Sequence, residues 1–161
     1  QKWTQKFFVG KFTNSVATDN AQLADAALKA NPKVAGIFAP YDELAKGVLS
    51  AVYQNKLQKT VKIYGIDISN ADIELMTKKG SPWVATAGTD PNAIGAGVAR
   101  VMALKLAGEQ KGTTVSFPGV LITAKFLKKN KIKNMDDLRA KLPGLSMSKA
   151  AAAAWIPVVK F

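Results

Sequence analysis

VKIYGID, residues 61–67, decides how this chain is read. A short run rich in β-branched and aromatic residues ends on an acid. That is the pattern of a buried parallel strand whose last side chain sits at the carboxyl edge of a sheet. Ser69 then stands three residues before Asp72, a capping-box-like start for a short helix reaching Lys78. On the N-terminal side, VAGIFAP at 34–40 is a second apolar run bounded by turn residues. It leads through Tyr41 and Asp42 into a helix to about Asn55, with Leu44, Val48, Leu49 and Val52 on one stripe. On the C-terminal side, Gly80, Ser81 and Pro82 turn the chain into a strand from Trp83 to Ala87. Thr89 follows, and Asp90 before Pro91 gives an N-cap with proline in the first turn of a long Ala-rich helix to about Ala107.

Further upstream, Phe7 to Phe12 reads as a first strand, and Thr18 to Ala30 as a helix stopped by Asn31 and Pro32. Strand and helix therefore alternate four times, which predicts an α/β fold: a three-layer parallel sheet with right-handed crossovers and helices on both faces. In such sheets, ligands bind just outside the carboxyl ends of the strands. Polar residues recur at three of those ends: Tyr41 with Asp42, Asp67, and Thr89 with Asp90. The last third changes character. Thr113 to Phe126 is strand material interrupted by Pro118 and Gly119, and Met135 to Leu142 predicts a short helix with Asp136 and Asp137 in its first turn. The tail from Ser146 to Phe161 is expected either to pack back on the domain or to be ordered by another element.

At 161 residues the chain makes one domain of ordinary size. Its longest apolar stretches fall far below the roughly 18 residues that span a bilayer. It has no Cys and no His, so a thiolate nucleophile, a zinc-thiolate site and the usual general base near neutral pH are missing. This favours binding over catalysis; an acid pair of Asp42 and Asp67 is the remaining enzymatic reading. No metal-binding pattern is formed by the scattered acids, and no cofactor is expected. Gly95 and Gly97 lie inside a predicted helix, where a dinucleotide fingerprint has no strand-to-helix turn to act in.

The net charge is +12, but only Arg100 and Arg139 among the 23 cations are arginine. Base readout and bidentate phosphate clamps favour Arg. The cluster Lys125, Lys128, Lys129, Lys131 and Lys133 therefore reads as a solvated surface, and no nucleic-acid partner is expected.

Among the strand-end residues, Asp67 ranks first as a ligand acceptor, since Ser69 is the better placed cap. Asp42 precedes a helical stripe beside Glu43 and reads more readily as a helix cap than as a ligand contact. Tyr41 either stacks on a sugar face or fills space over its strand, and with Asp90 as a cap Thr89 is the freer contact.

The segments NPKVAGIFAPYDELAKGVLSAV and VKIYGIDISNADIELMTKKGSPWVATAGTDPNAIGAGVARVMALKLAGE resemble the second half of the ribose-binding-protein-like (type I) periplasmic sugar receptors of ABC transporters. The resemblance covers about residues 5 to 125 and lies in an ordered series of elements. It implies sugar contacts at Tyr41, which departs from the amide common there, at Asp67 and at Thr89. It also points to FTNSVATD, leaving Asn14 and Ser15 as candidates after the first strand.

The resemblance further implies a two-lobed receptor, of which residues 1–89 supply the main part of one lobe, 90–122 cross to the other, and 123–161 return. The apolar face of the helix from Pro91 to Ala107 is then expected to be covered by repacking, by the first lobe or by a second copy of the chain. The implied partners are a small sugar or polyol and a membrane permease. The implied location is periplasmic or extracellular, with a membrane anchor if the full-length protein is a lipoprotein. The effector domain of a LacI-type transcription regulator, which shares this two-lobed fold, is the alternative reading.

Overall fold

The computed structural model describes residues 2–110, 112, 114–117, 119–146 and 150–156. Its elements are α1 (Val16–Ala30), β1 (Gly36–Ala39), α2 (Asp42–Gln54), β2 (Lys62–Ile66), α3 (Asn70–Thr77), β3 (Trp83–Gly88), α4 (Pro91–Leu106), β4 (Val120–Thr123), α5 (Ala124–Lys129), α6 (Met135–Lys141) and α7 (Pro143–Ser146). The strands form one sheet in the order β1-β2-β3-β4. β1, β2 and β3 run parallel, in a register that pairs Phe38 with Tyr64 and Gly65 with Thr86. The α/β class read from the sequence is the class observed.

Period-2 alternation gives the sheet two unlike faces. Ile37, Ile63, Trp83 and Ile122 are buried in a single core, joined by Val48, Leu49 and Val52 of α2, Ile73 and Met76 of α3, and Leu127 of α5. Their alternates Phe38, Tyr64 and Leu121 are exposed. α1 lies against α2, where Gly47 admits the α1 backbone: a Cβ there would stand 2.5 Å from the Ala17 carbonyl oxygen.

Two expected strands come out differently. Phe7 to Phe12 is not a strand: Gly10 takes φ +143° in the middle of the run, and Phe8, Val9 and Phe12 are exposed. An apolar run makes a strand only where a neighbour offers a ladder, and none of the sheet's four strands pairs with it. Among the described residues of the expected strand Thr113 to Phe126, which leave out 113 and 118, Val120–Thr123 is the part that forms a strand, and Thr123 caps α5 by accepting from the Phe126 N–H at 3.1 Å. β4 also pairs antiparallel with β3, Val120 opposite Gly88. The strand follows α4 in the chain. The helix packs against α7, and β4 enters beside the end of β3 at Gly88, so it can only run back along that strand.

The tail does pack back over 150–156. Arg100 Nε donates to the Ala150 carbonyl at 3.0 Å, and Trp155 Nε1 donates to Glu109 at 3.0 Å. Gly97 of α4 makes room for the Phe117 ring. Val98, Met102 and Leu106 of the same helix remain exposed.

Candidate ligand-binding edge

Because β1, β2 and β3 are adjacent and parallel, Tyr41, Asp42, Asp67 and Thr89 emerge in order along one edge. Neighbouring strands lie about 4.8 Å apart, so the row spans about 10 Å, the scale of one small polyhydroxy ligand. Asp67 follows the last residue of β2 and is half-buried, with φ +73°. The left-handed region costs an L-residue roughly 1–2 kcal/mol, least for Asn and Asp. Burial, and after it the charge of Asp42, push the Asp67 carboxyl above its ordinary value. The two carboxylates therefore share this edge.

Asp42 is the first residue of α2, with Tyr41 at the cap position making no side-chain cap. The cap expected at Asp42 therefore falls one residue earlier, and Asp42 Oδ1 instead accepts from the Glu43 N–H at 2.9 Å within the first turn. Its Oδ2 meets Lys46 Nζ at 3.3 Å. Lys46 also reaches Glu43 at 2.6 Å and the fully buried Asp72 at 3.4 Å. Burial alone would lower the Lys46 ammonium, but the carboxylates of Glu43, Asp72 and Asp42 outweigh it and hold the charge in place. Burial pushes the Asp72 carboxyl up, against the opposing pull of Ser69 and Lys46. Ser69 is the observed cap of α3: it accepts from the Asp72 N–H and donates to Asp72 Oδ2 at 2.7 Å.

At the third strand end Thr89 is half-buried and Asp90 is the cap of α4, accepting from the Asn92 N–H at 3.1 Å. Asp90 does more than its sequence position implied. Arg139 of α6 clamps it through Nε at 2.8 Å and a second nitrogen at 3.2 Å, and also holds Asp136. A cleft of about 340 Å³ opens beside this clamp, lined by Ser69, Asn70, Asn92, Asp136 and Arg139 among others.

Asn14 and Ser15 lie in the turn that enters α1, and both are exposed. The Ser15 N–H bonds Thr13 Oγ1, while Phe12, two residues before Asn14, is the group that reaches the edge. Its ring stacks on Tyr41 with centroids 5.6 Å apart at 29°. The aromatic ring of Phe12, at the head of FTNSVATD, was the signal in the sequence for this contact.

The profile of the periplasmic binding protein domain matches residues 4–110. This chain belongs to the periplasmic-binding-protein family. A 5-methylthioribose transporter solute-binding protein from Thermotoga lettingae, solved with 5-methylthioribose, is 36% identical with a TM-score of 0.85, over 92% of this chain and 47% of that one. A sugar ABC transporter protein from Yersinia enterocolitica is 30% identical with a TM-score of 0.81, over 92% and 45%. A carbohydrate transporter solute-binding protein from Agrobacterium radiobacter, in complex with D-arabinose, is 26% identical with a TM-score of 0.61, over 73% and 39%. The chain thus spans about half the length of the first two of these relatives and 39% of the third. A comparison with curated proteins finds no significant match.

Proposed function

We propose that this chain forms one lobe of the solute receptor of an ABC transporter, periplasmic or extracellular, which closes on a small sugar or polyol and presents the closed form to a membrane permease. The observation that carries this reading is the convergence of Tyr41, Asp42, Asp67 and Thr89 on three adjacent parallel strand ends, beside the Phe12–Tyr41 stack. Carboxylates accept hydrogen bonds from sugar hydroxyls, and aromatic faces cover C–H surfaces. Such a site recognises its ligand without making or breaking a covalent bond. Relatives solved with 5-methylthioribose and D-arabinose support the ligand class. The same relatives are transporter components, which favours a receptor over a transcription regulator.

In this reading residues 1–89 and 120–161 build the present lobe, β4 with its core residue Ile122 included, and 90–119 cross to a second one and return. The first lobe, or a second copy in a swapped arrangement, then covers Val98, Met102 and Leu106. The test is calorimetry on the full-length receptor with pentoses, hexoses, thiosugars and acyclic polyols. One of these should bind with a micromolar or tighter Kd, about 8 kcal/mol, and Asp67→Ala should weaken it at least about tenfold. Unchanged affinity in the Asp67→Ala receptor would mean that the strand-end assignment is wrong.

A further inference from the structure

The left-handed backbone of Asp67 is held from the next strand. Its N–H donates to the Ala87 carbonyl at 3.0 Å, and its C=O accepts from the Thr86 hydroxyl at 2.7 Å. Two consecutive residues of β3 thus fix both peptide groups of the residue that adopts φ +73°. The first bond continues the ladder between the strands. The second is a side-chain bond, made by a polar residue that is 1% exposed and faces the core beside Ile122.

A buried hydroxyl is costly unless bonded, and valine has the same shape without that cost. The threonine hydroxyl is therefore kept at no such cost by its bond to the Asp67 carbonyl. Its environment is shaped to fit: Gly65 lies opposite in register, and a Cβ there would come within 3.3 Å of Thr86 Oγ1 and 3.0 Å of Trp83 Nε1. Glycine in β2 leaves the hydroxyl free to reach along the sheet to residue 67.

We propose that Thr86 is a positioning residue for ligand binding, holding the peptide after Asp67 so that the carboxylate stays in its left-handed placement at the strand ends. Without that bond the 67–68 peptide is free to rotate. Asp67 then relaxes towards negative φ, and its Cβ swings away from Asp42. The ligand never touches Thr86, which acts through Asp67 alone. This inference rests on the strand-end site proposed above.

The experiment compares Thr86→Val, Thr86→Ser, Asp67→Ala and the Asp67→Ala/Thr86→Val double variant in the full-length receptor. Affinity is measured by calorimetry with the best-binding sugar or polyol, and urea unfolding is followed in parallel. Thr86→Val should weaken binding by about tenfold, the scale of one well-placed hydrogen bond, and Thr86→Ser should restore it. In the Asp67→Ala background, Thr86→Val should add no further loss. A Thr86→Val protein that unfolds earlier yet binds as the parent does overturns the proposal, because a purely structural hydroxyl behaves that way. A further loss in the Asp67→Ala background overturns it too. If Asp67→Ala itself binds normally, the strand-end site fails instead, a distinct result. Should valine not be accommodated, Thr86→Ala removes the same hydroxyl and is read by the same criteria.

Discussion

Asp67 and Asp90 occupy comparable places, one just beyond the end of β2 and the other two residues beyond the end of the adjacent parallel strand β3, yet the fold uses them in opposite ways. Asp90 is buried: one oxygen caps α4, and both oxygens are held by Arg139. Asp67 is half-buried, caps nothing because Ser69 caps α3, and sits in the left-handed region with a carboxyl pushed upward. An acid at a strand end is structural when its lone pairs are already spoken for. It is available to a ligand when a neighbour has taken over its local duty.

The sharpest way to break this contrast is Asp90→Ala. It removes the α4 cap and leaves the Arg139 guanidinium without its main partner, so urea unfolding should report a loss of about 3 kcal/mol. A stable variant would show that Asp90 carries no more structural duty than Asp67 does. Ser69→Ala tests the other side. Losing the α3 cap and one partner of buried Asp72 should cost about 1–2 kcal/mol. If the measured cost is nil, the Ser69 cap carries no weight and the contrast with Asp90 loses one of its supports.

The smallest effect is one of pH. A raised folded pKa means that the folded state binds more protons than the unfolded state between the ordinary carboxyl value and the folded one. The Asp67 contribution to stability therefore falls as pH rises through that window, and is regained on acidification. Asp67→Asn removes the trend while adding a constant offset, since Asn tolerates positive φ well. Denaturation curves from pH 3 to 7 should show parent minus variant stability highest at the acid end. A flat difference would mean that Asp67 is no more perturbed than an ordinary surface acid.

Features that depend on neighbours in sequence were legible. The Ser69 cap, the Asp90–Pro91 start and the apolar runs of β1, β2 and β3 are all written within a few residues. Features that depend on a distant partner were not. Phe7 to Phe12 has strand composition but no ladder, and β4 takes its direction from entering beside the end of β3. Arg139 finds Asp90 across 49 residues, and Thr86 meets Asp67 across 19. Both long-range bonds left a faint trace in composition. Arg139 is one of two arginines in a lysine-rich chain, and arginine is the residue suited to a buried two-point clamp. Thr86 is the polar residue inside WVATAG, a run that otherwise reads as buried strand.

The bare face carrying Phe38, Tyr64 and Leu121, with β1 as an edge strand of the sheet, has a consequence for anyone handling this chain by itself. Unpaired strand edges next to exposed aromatic side chains are templates for intermolecular strand addition. Unfolding curves for the isolated chain then depend on protein concentration, and a midpoint at one concentration mixes self-association with folding. A dilution series separates the two. Lysine or proline placed at Phe38 is the kind of gatekeeper by which natural edge strands stay soluble.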